Sequence, residues 1–233
     1  MSSTAAPAAW PSLSLPVLPR LLQFNVLPSL LLHPAQAERL APPEGLAHPA
    51  AQQPGVLATL HRRWSARLLQ QLGAAAAPVL DLAEPALPLA TAEPGVLHRL
   101  ARELGIALLG PQLRRVILRG EVLALRQQLG DDGMRWALGG AARLHPGLPD
   151  GADWLAHSGG QAADLLGAGL LAQAWSDAPA PLRLRAGWRL TPQAAEAPWR
   201  AASGLDPAGA RALCLQHLGQ TEPTWLSCFP ATR

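Results

Sequence analysis

The stretch LHRLARELGIALLGPQLRRVILRGEVLALRQQLG, residues 97–130, decides the fold. With Val96, the residues Leu97, Leu100, Leu104 and Leu108 recur three and four positions apart. That is the spacing of one helix face, and it predicts a helix over 95–109. Gly110 stands at the stop position, and Pro111 suits the first position of a following helix. The following helix is expected over 111–129. It buries Leu113, Val116, Ile117 and Ala124 with Leu125 or Leu129, and it exposes Arg114, Arg115, Arg119 and Arg126. Gly130 and the turn-forming Asp131-Asp132-Gly133 close it, and a short helix with Trp136 and Leu138 follows.

Outward from this block, Leu57, Leu60, Trp64, Leu68 and Leu72 predict a helix over 56–72 that stops at Gly73, with Arg62, Arg63 and Arg67 off the apolar stripe. Residues 21–32 read as two short helical pieces broken at Pro28, and 34–55 as a proline-rich loop. Pro85, Pro88 and Pro94 exclude a long helix over 78–94 and leave an extended connector or short strand. Residues 160–175 carry no charge beyond Asp164, so a largely buried helix is expected there. Over 182–190 the period changes. Leu182, Leu184, Ala186, Trp188 and Leu190 alternate with Arg183, Arg185, Gly187 and Arg189, the pattern of a half-buried strand, which would pair with 79–90. Asp206 and Pro207 open a last helix, 207–218, closed by Gly219. The expectation is a mainly α chain: a flexible arm over 1–20, then a single helical domain over 21–233 with a minor β element near 182–190.

Composition removes several function classes. The chain has 233 residues, 49% hydrophobic and 15% charged, with Pro 24 and Gly 21. That suffices for a core and argues against a disordered polyelectrolyte. The pI of about 10.0 suggests a basic protein. There is no Lys or Tyr, however, so the α-amino group and two thiols set that value. A net charge of +3 is no nucleic-acid footprint. The N-terminus MSSTAAPAAWPSLSLPVLP lacks a basic region and is interrupted by prolines, so it predicts neither a signal peptide nor a helix. No Pro- or Arg-free apolar run is long enough to span a bilayer. Cys214 and Cys228 lie in no metal-binding spacing, and a reducing, cytosolic setting fits them.

Candidate chemistry is sparse. The histidines at 33, 48, 61, 98, 145, 157 and 217 include no i, i+4 pair on one helix. His157-Ser158-Gly159-Gly160 is similar to an oxyanion-hole loop, but no nucleophile elbow accompanies it. Gly167-Ala168-Gly169 lacks the rest of a dinucleotide fingerprint, and a phosphate loop cannot exist without Lys. No metal, nucleotide, flavin or other cofactor is expected. Arg183, Arg185 and Arg189 could bind an acidic partner or solvate a sheet edge. The 8 Trp against 2 Phe read as core, although Trp is also enriched at interfaces.

Residues 97–130 also resemble the central block of the SctK (YscK-like) family of type III secretion systems: a leucine helix, a short Gly break, then an "RR–apolar" step. Ala86-Leu87-Pro88-Leu89 and LRLRAGWRLTPQAAEAPW, residues 182–199, resemble its flanking motifs. Phe24-Asn25, Pro28 and Leu32-His33-Pro34 resemble its early element, with Leu31 where an aromatic is usual. The resemblance covers roughly residues 22–228. It implies a non-enzymatic, mainly helical adaptor at the cytoplasmic face of the inner membrane, within the injectisome sorting platform. Its partners would be the cytoplasmic domain of the ring protein SctD and the pod protein SctQ, with no nucleic acid, membrane insertion or small-molecule substrate. Arg114 and Arg115 project from the best-matching block and are the candidate partner-binding residues. The alternatives are a small cytosolic enzyme using dispersed polar residues such as His61, His98 and His157, or a secretion chaperone.

Overall fold

The computed structural model describes residues 16–43, 46, 53–158 and 161–230, with the side chains of 157 and 158 not among them. Thirteen α-helices and no strand occur in these residues, in a single helical domain. Helix α1 (Val17–Val26) buries Val17, Leu21, Phe24 and Asn25, and a 3-10 turn over Pro28–Leu30 follows the expected break. The helix takes in 17–20, the end of the expected arm; the rest of the arm lies outside the described residues. Helix α2 (Pro34–Arg39) starts at His33, whose ring caps it, within what the sequence suggested was loop. Of the remainder, 44–45 and 47–52 lie outside the described residues, and the last two positions, Pro54 and Gly55, already belong to the next helix.

Helix α3 (Pro54–Leu72) ends at Gly73, where φ is +55°, a conformation that glycine adopts without a Cβ penalty. Residues 77–86 form the expected connector, but helix α4 (Leu87–Ala90) lies inside the segment proposed as a strand partner. Asn25 holds that connector. Its Nδ2 donates to the carbonyls of Leu21 at 3.0 Å and Val79 at 2.9 Å, and its Oδ1 accepts from Val79 N–H at 2.7 Å. One buried amide thus replaces the backbone ladder a strand would have supplied.

Helix α5 (Pro94–Arg115) continues through Gly110-Pro111 instead of stopping there. A proline inside a helix removes one N–H and pushes a carbonyl aside. Here the segment after helices α6 (Arg119–Leu138) and α7 (Ala141–Leu144) runs across that point, and Leu148 N–H donates to the Leu108 carbonyl at 2.7 Å. Gly147, with φ +99°, lies where a Cβ would meet the Pro111 ring. The expected break between two helices therefore falls at residues 116–118, and the helix expected over 111–129 begins at Arg119. Gly130 interrupts α6 as expected, with φ +72° and ψ 169°, and the piece beyond it, carrying Trp136 and ending at Leu138, is the short helix expected there.

After α8 (Gly151–Ser158) comes α9 (Ala162–Ala174), buried along nearly its whole length as its lack of charge predicted. The strand expected near 182–190 is helical: α10 (Ala180–Gly187), followed by a turn through Leu190. Its buried residues are Leu182, Arg185, Ala186, Arg189 and Leu190, a spacing of three and four. The apparent period of two arose because two arginines occupy the buried face. Arg185 donates from Nη1 to the carbonyls of Ala75 at 3.1 Å and Pro181 at 2.9 Å, and from Nη2 to Ala76 at 2.6 Å. Arg189 donates to the carbonyls of Ala90 and Ala92 at the end of α4. Among the described residues there is no sheet edge for either to protect. Helices α11 (Ala197–Ala201), α12 (Pro207–Thr221) and α13 (Pro223–Leu226) complete the chain, with Asp206 capping α12 by accepting from Gly209 N–H at 2.7 Å.

The centre is the crossing of α5 and α9, and α9 also packs against α11 and α12. Ala101 and Gly105 on α5 meet Ala163 and Gly167 on α9, each pair one helical turn apart. A Cβ on Gly105 would lie 1.7 Å from the Ala163 carbonyl oxygen, and one on Gly167 would lie 1.6 Å from the Ala101 carbonyl oxygen. The two backbones therefore touch, with no side chain between them. Helix propensity alone favours Gly→Ala by about 1 kcal/mol. At these two positions the clash is with backbone, which cannot swing away, and overpacking costs about 1–3 kcal/mol. Gly105→Ala and Gly167→Ala should each lower the Tm by several degrees in thermal unfolding. Gly95→Ala, on the same helix with nothing within 4 Å of its Cβ, should not. Equal Tm values for all three would disprove the close contact.

Candidate functional site

Two neighbourhoods combine exposed or cavity-lining chemistry with an unusual environment. The first is a half-open groove of about 700 Å³. Its walls are the start of α2, the first turns of α5 and α9, residues 189–193 and Trp199 of α11. The lining is mostly apolar, through residues such as Leu31, Leu97, Leu165 and Trp199, with His33, His98, Asp164 and Arg189 as its ionisable members.

Those four differ in circumstance. Arg189 is buried, its two terminal nitrogens engage carbonyls, and its Nε has no partner. Burial, with the nearby charge of Arg20, pushes its pKa down to about 10, so it stays charged at neutral pH. It has no carboxylate partner among the described residues. Asp164 Oδ2 lies 3.5 Å from Arg102 Nη1, while its Oδ1 is buried without a hydrogen bond. His33 caps α2 by accepting from Ala35 N–H at 3.2 Å through Nδ1. Desolvation, then the proximity of His98, holds the His33 pKa below the usual histidine value.

The second neighbourhood is the corner between α5 and α6. Arg114 and Arg115 occupy the last turn of α5, and both are exposed. Arg114 is partly engaged, donating from Nη1 to the Ala137 carbonyl near the end of α6 at 3.3 Å. Arg115 makes no hydrogen bond or ion pair among the described residues. Ile117, expected in the core, is 84% exposed, and Leu118 beside it is 62% exposed. Val116 is half-buried and Ala124 exposed, so of the apolar residues assigned to this helix Leu113 and Leu129 are the buried ones and Leu125 is half-buried. The cause is the extended backbone at 116–118, which lifts the chain off the domain between the two helices.

Of the dispersed histidines, His61 and His98 do not converge. His61 Nδ1 lies 3.0 Å from Ser29 Oγ, which also contacts Ser65, in a contact between α3 and the 3-10 turn. His98 lines the groove and His61 does not; the side chain of 157 lies outside the described residues. A part-buried cluster that sequence reading missed joins three helices, with His217 its buried member. His217 Nε2 lies 2.6 Å from Glu103 Oε2 and its ring stacks on Trp136, whose indole N–H donates to the Glu103 carbonyl at 2.7 Å. Its members are 114 residues apart at the widest, and no local pattern connects them. Among the described residues no group of three or more His, Cys, Asp or Glu is placed to hold a metal, and no helix is long and apolar enough to cross a membrane. Both cysteines are free, with Cys214 buried and its thiol pKa raised by that burial.

No known family, curated protein or solved structure matches the chain.

His33 and His145 share a feature that makes stability depend on pH. Each accepts a backbone N–H at Nδ1, from Ala35 and from Gly147 at 3.0 Å, and burial lowers the pKa of both. Protonation would place a donor against a donor. The unfolded chain takes up a proton near pH 6.5 and the folded chain only at lower pH, so stability is complete above that value and falls as pH drops toward the folded pKa values. The Tm should therefore be lower at pH 5.5 than at 7.5. In the double variant His33→Asn/His145→Asn, which keeps an acceptor but cannot titrate, the drop should shrink. An equal drop in both proteins would assign the effect elsewhere.

Proposed function

We propose that this chain is a non-enzymatic cytoplasmic adaptor of a type III secretion sorting platform, joining the cytoplasmic domain of SctD to the pod protein SctQ. The reading comes from the resemblance of residues 22–228 to the SctK family. The observation that supports it most directly is Ile117, 84% exposed between Arg115 and Arg119 in the block where that resemblance is closest. Free solvent is an unfavourable environment for an isoleucine and a leucine side by side, and contiguous exposed apolar surface rimmed by polar groups is a mark of protein contact. Arginine beside it supplies bidentate pairing to carboxylates, so an acidic, partly apolar partner surface is complementary. The platform position places the protein at the cytoplasmic face of the inner membrane through its partners.

Arg115 and Ile117 are the variants of choice, since Arg114 also holds the end of α6. Arg115→Glu/Ile117→Asp should leave circular dichroism and Tm unchanged, because exposed substitutions usually shift stability by no more than about 0.5 kcal/mol. Calorimetric titration against each purified partner should show one of the two affinities weakened by about tenfold or more, as expected when a desolvated interfacial charge is reversed. Unchanged affinity for both would remove the corner from the interface. Binding of the parent protein to neither partner would refute the adaptor reading.

A further inference from the structure

The groove beside Arg189 is separate from the α5–α6 corner, and its chemistry can be argued without the adaptor reading. We propose that it is a binding site for an amphiphilic monoanion, a carboxylate carried on a medium-length apolar chain. Its volume of about 700 Å³ and its mainly apolar walls with a few converging polar groups are those of a small-molecule site. The apolar part is supplied by Leu31, Leu97, Ala101, Leu165, Leu190 and Trp199.

The sign of the head group follows from the charges around it. Arg20 and Glu93, beside Pro94 at the rim, pair at 3.3 Å; Asp164, the one acidic wall residue, lies 3.5 Å from Arg102 through Oδ2, while its Oδ1 is buried without a hydrogen bond. Arg189 is left over. It is 6% exposed, and among the described residues its partners are two carbonyls and its Nε is unpaired. A buried charge without a counter-ion is costly, and an anion in the groove relieves that cost. The remaining ionisable wall residues, His33 and His98, are neutral or positive and never negative. Two helices also begin at this cavity: Pro94 opens α5 and Gln161 precedes α9, and neither N-terminus has a side-chain cap. The α5 dipole adds positive potential where that helix starts, while at α9 the first-turn carboxylate of Asp164 offsets it. An uncharged or cationic amphiphile gains the apolar contacts and none of this. No reaction is assigned to the site.

The test is calorimetric titration of the full chain at pH 7.5 with decanoate, decanol and decylamine, each below its micellar range. Decanoate should bind about tenfold or more tightly than decanol, and protonated decylamine more weakly than either. Leu165→Trp, which fills the groove from a half-buried position, should abolish binding of decanoate and decanol alike. His98→Glu, at an exposed position, should weaken decanoate at least several-fold and leave decanol unchanged. Arg189→Gln should erase the preference for the carboxylate; since Arg189 also holds the end of α4, its circular dichroism is measured alongside, and His98→Glu stands on its own if that variant misfolds. Equal affinity for decanoate and decanol, decanoate binding undiminished by Leu165→Trp, or no binding of any of the three would overturn the proposal. The last result would leave the groove to a protein segment.

Discussion

Two helices in this protein touch backbone to backbone, and the rest of the arrangement is built around that contact. Most helix pairs stand 8–10 Å apart because side chains separate them. The reciprocal fit of Gly105 against Ala163 and Gly167 against Ala101 removes that separation at the centre of the domain. It leaves α9 without room for a polar side chain along most of its length, which is why ten of its residues are buried small or aliphatic ones. A third close approach, Gly169 against the Trp199 backbone, draws α11 onto the opposite side of α9. The small residues of Ala-Asp-Leu-Leu-Gly-Ala-Gly, 163–169, are therefore packing geometry. They do not form part of a nucleotide loop.

Buried arginine is the second device of the fold. Arg185 and Arg189 end other helical segments by holding their last carbonyls, a task usually left to glycine caps or water. Guanidinium suits it, since one planar group reaches two carbonyls at once and remains charged under burial that would neutralise an amine. The consequence is a positive charge kept in the interior without a carboxylate, and that charge borders the groove. Packing and binding chemistry meet in one side chain.

The sequence carried the helices with clean stripes and stated ends. Gly73 and Asp206 sit at a helix end and start where the residue types indicate, and the uncharged run before Trp175 is buried. Two of its failures have definite physical reasons. At Gly110-Pro111 the local stop signal is overridden by tertiary packing: a loop crosses the helix there, with Leu148 N–H on the Leu108 carbonyl and Gly147 against the Pro111 ring. At 182–190 two buried arginines that serve as caps stand where polarity signals exposure, and they invert the pattern. The candidate sites were only half legible. Arg114 and Arg115 were visible as exposed, but the apolar half of their surface was assigned to the core, because an exposed isoleucine leaves no mark that distinguishes it from a buried one. The groove needed residues from α2, α5, α9 and the turn after α10, and nothing local announces such a convergence.

Helix α5 has 22 residues. Its first two turns line the groove and its last turn carries Arg114 and Arg115, so the two surfaces lie roughly 20–30 Å apart along one axis at 1.5 Å per residue. The clamp by α9 falls between them. A rod fixed at its middle behaves as a ruler: whatever docks at one end meets the occupant of the other at a set distance and angle, too far for direct collision. Both ends can be filled at once, and the spacing between two bound bodies is set by the length of one helix.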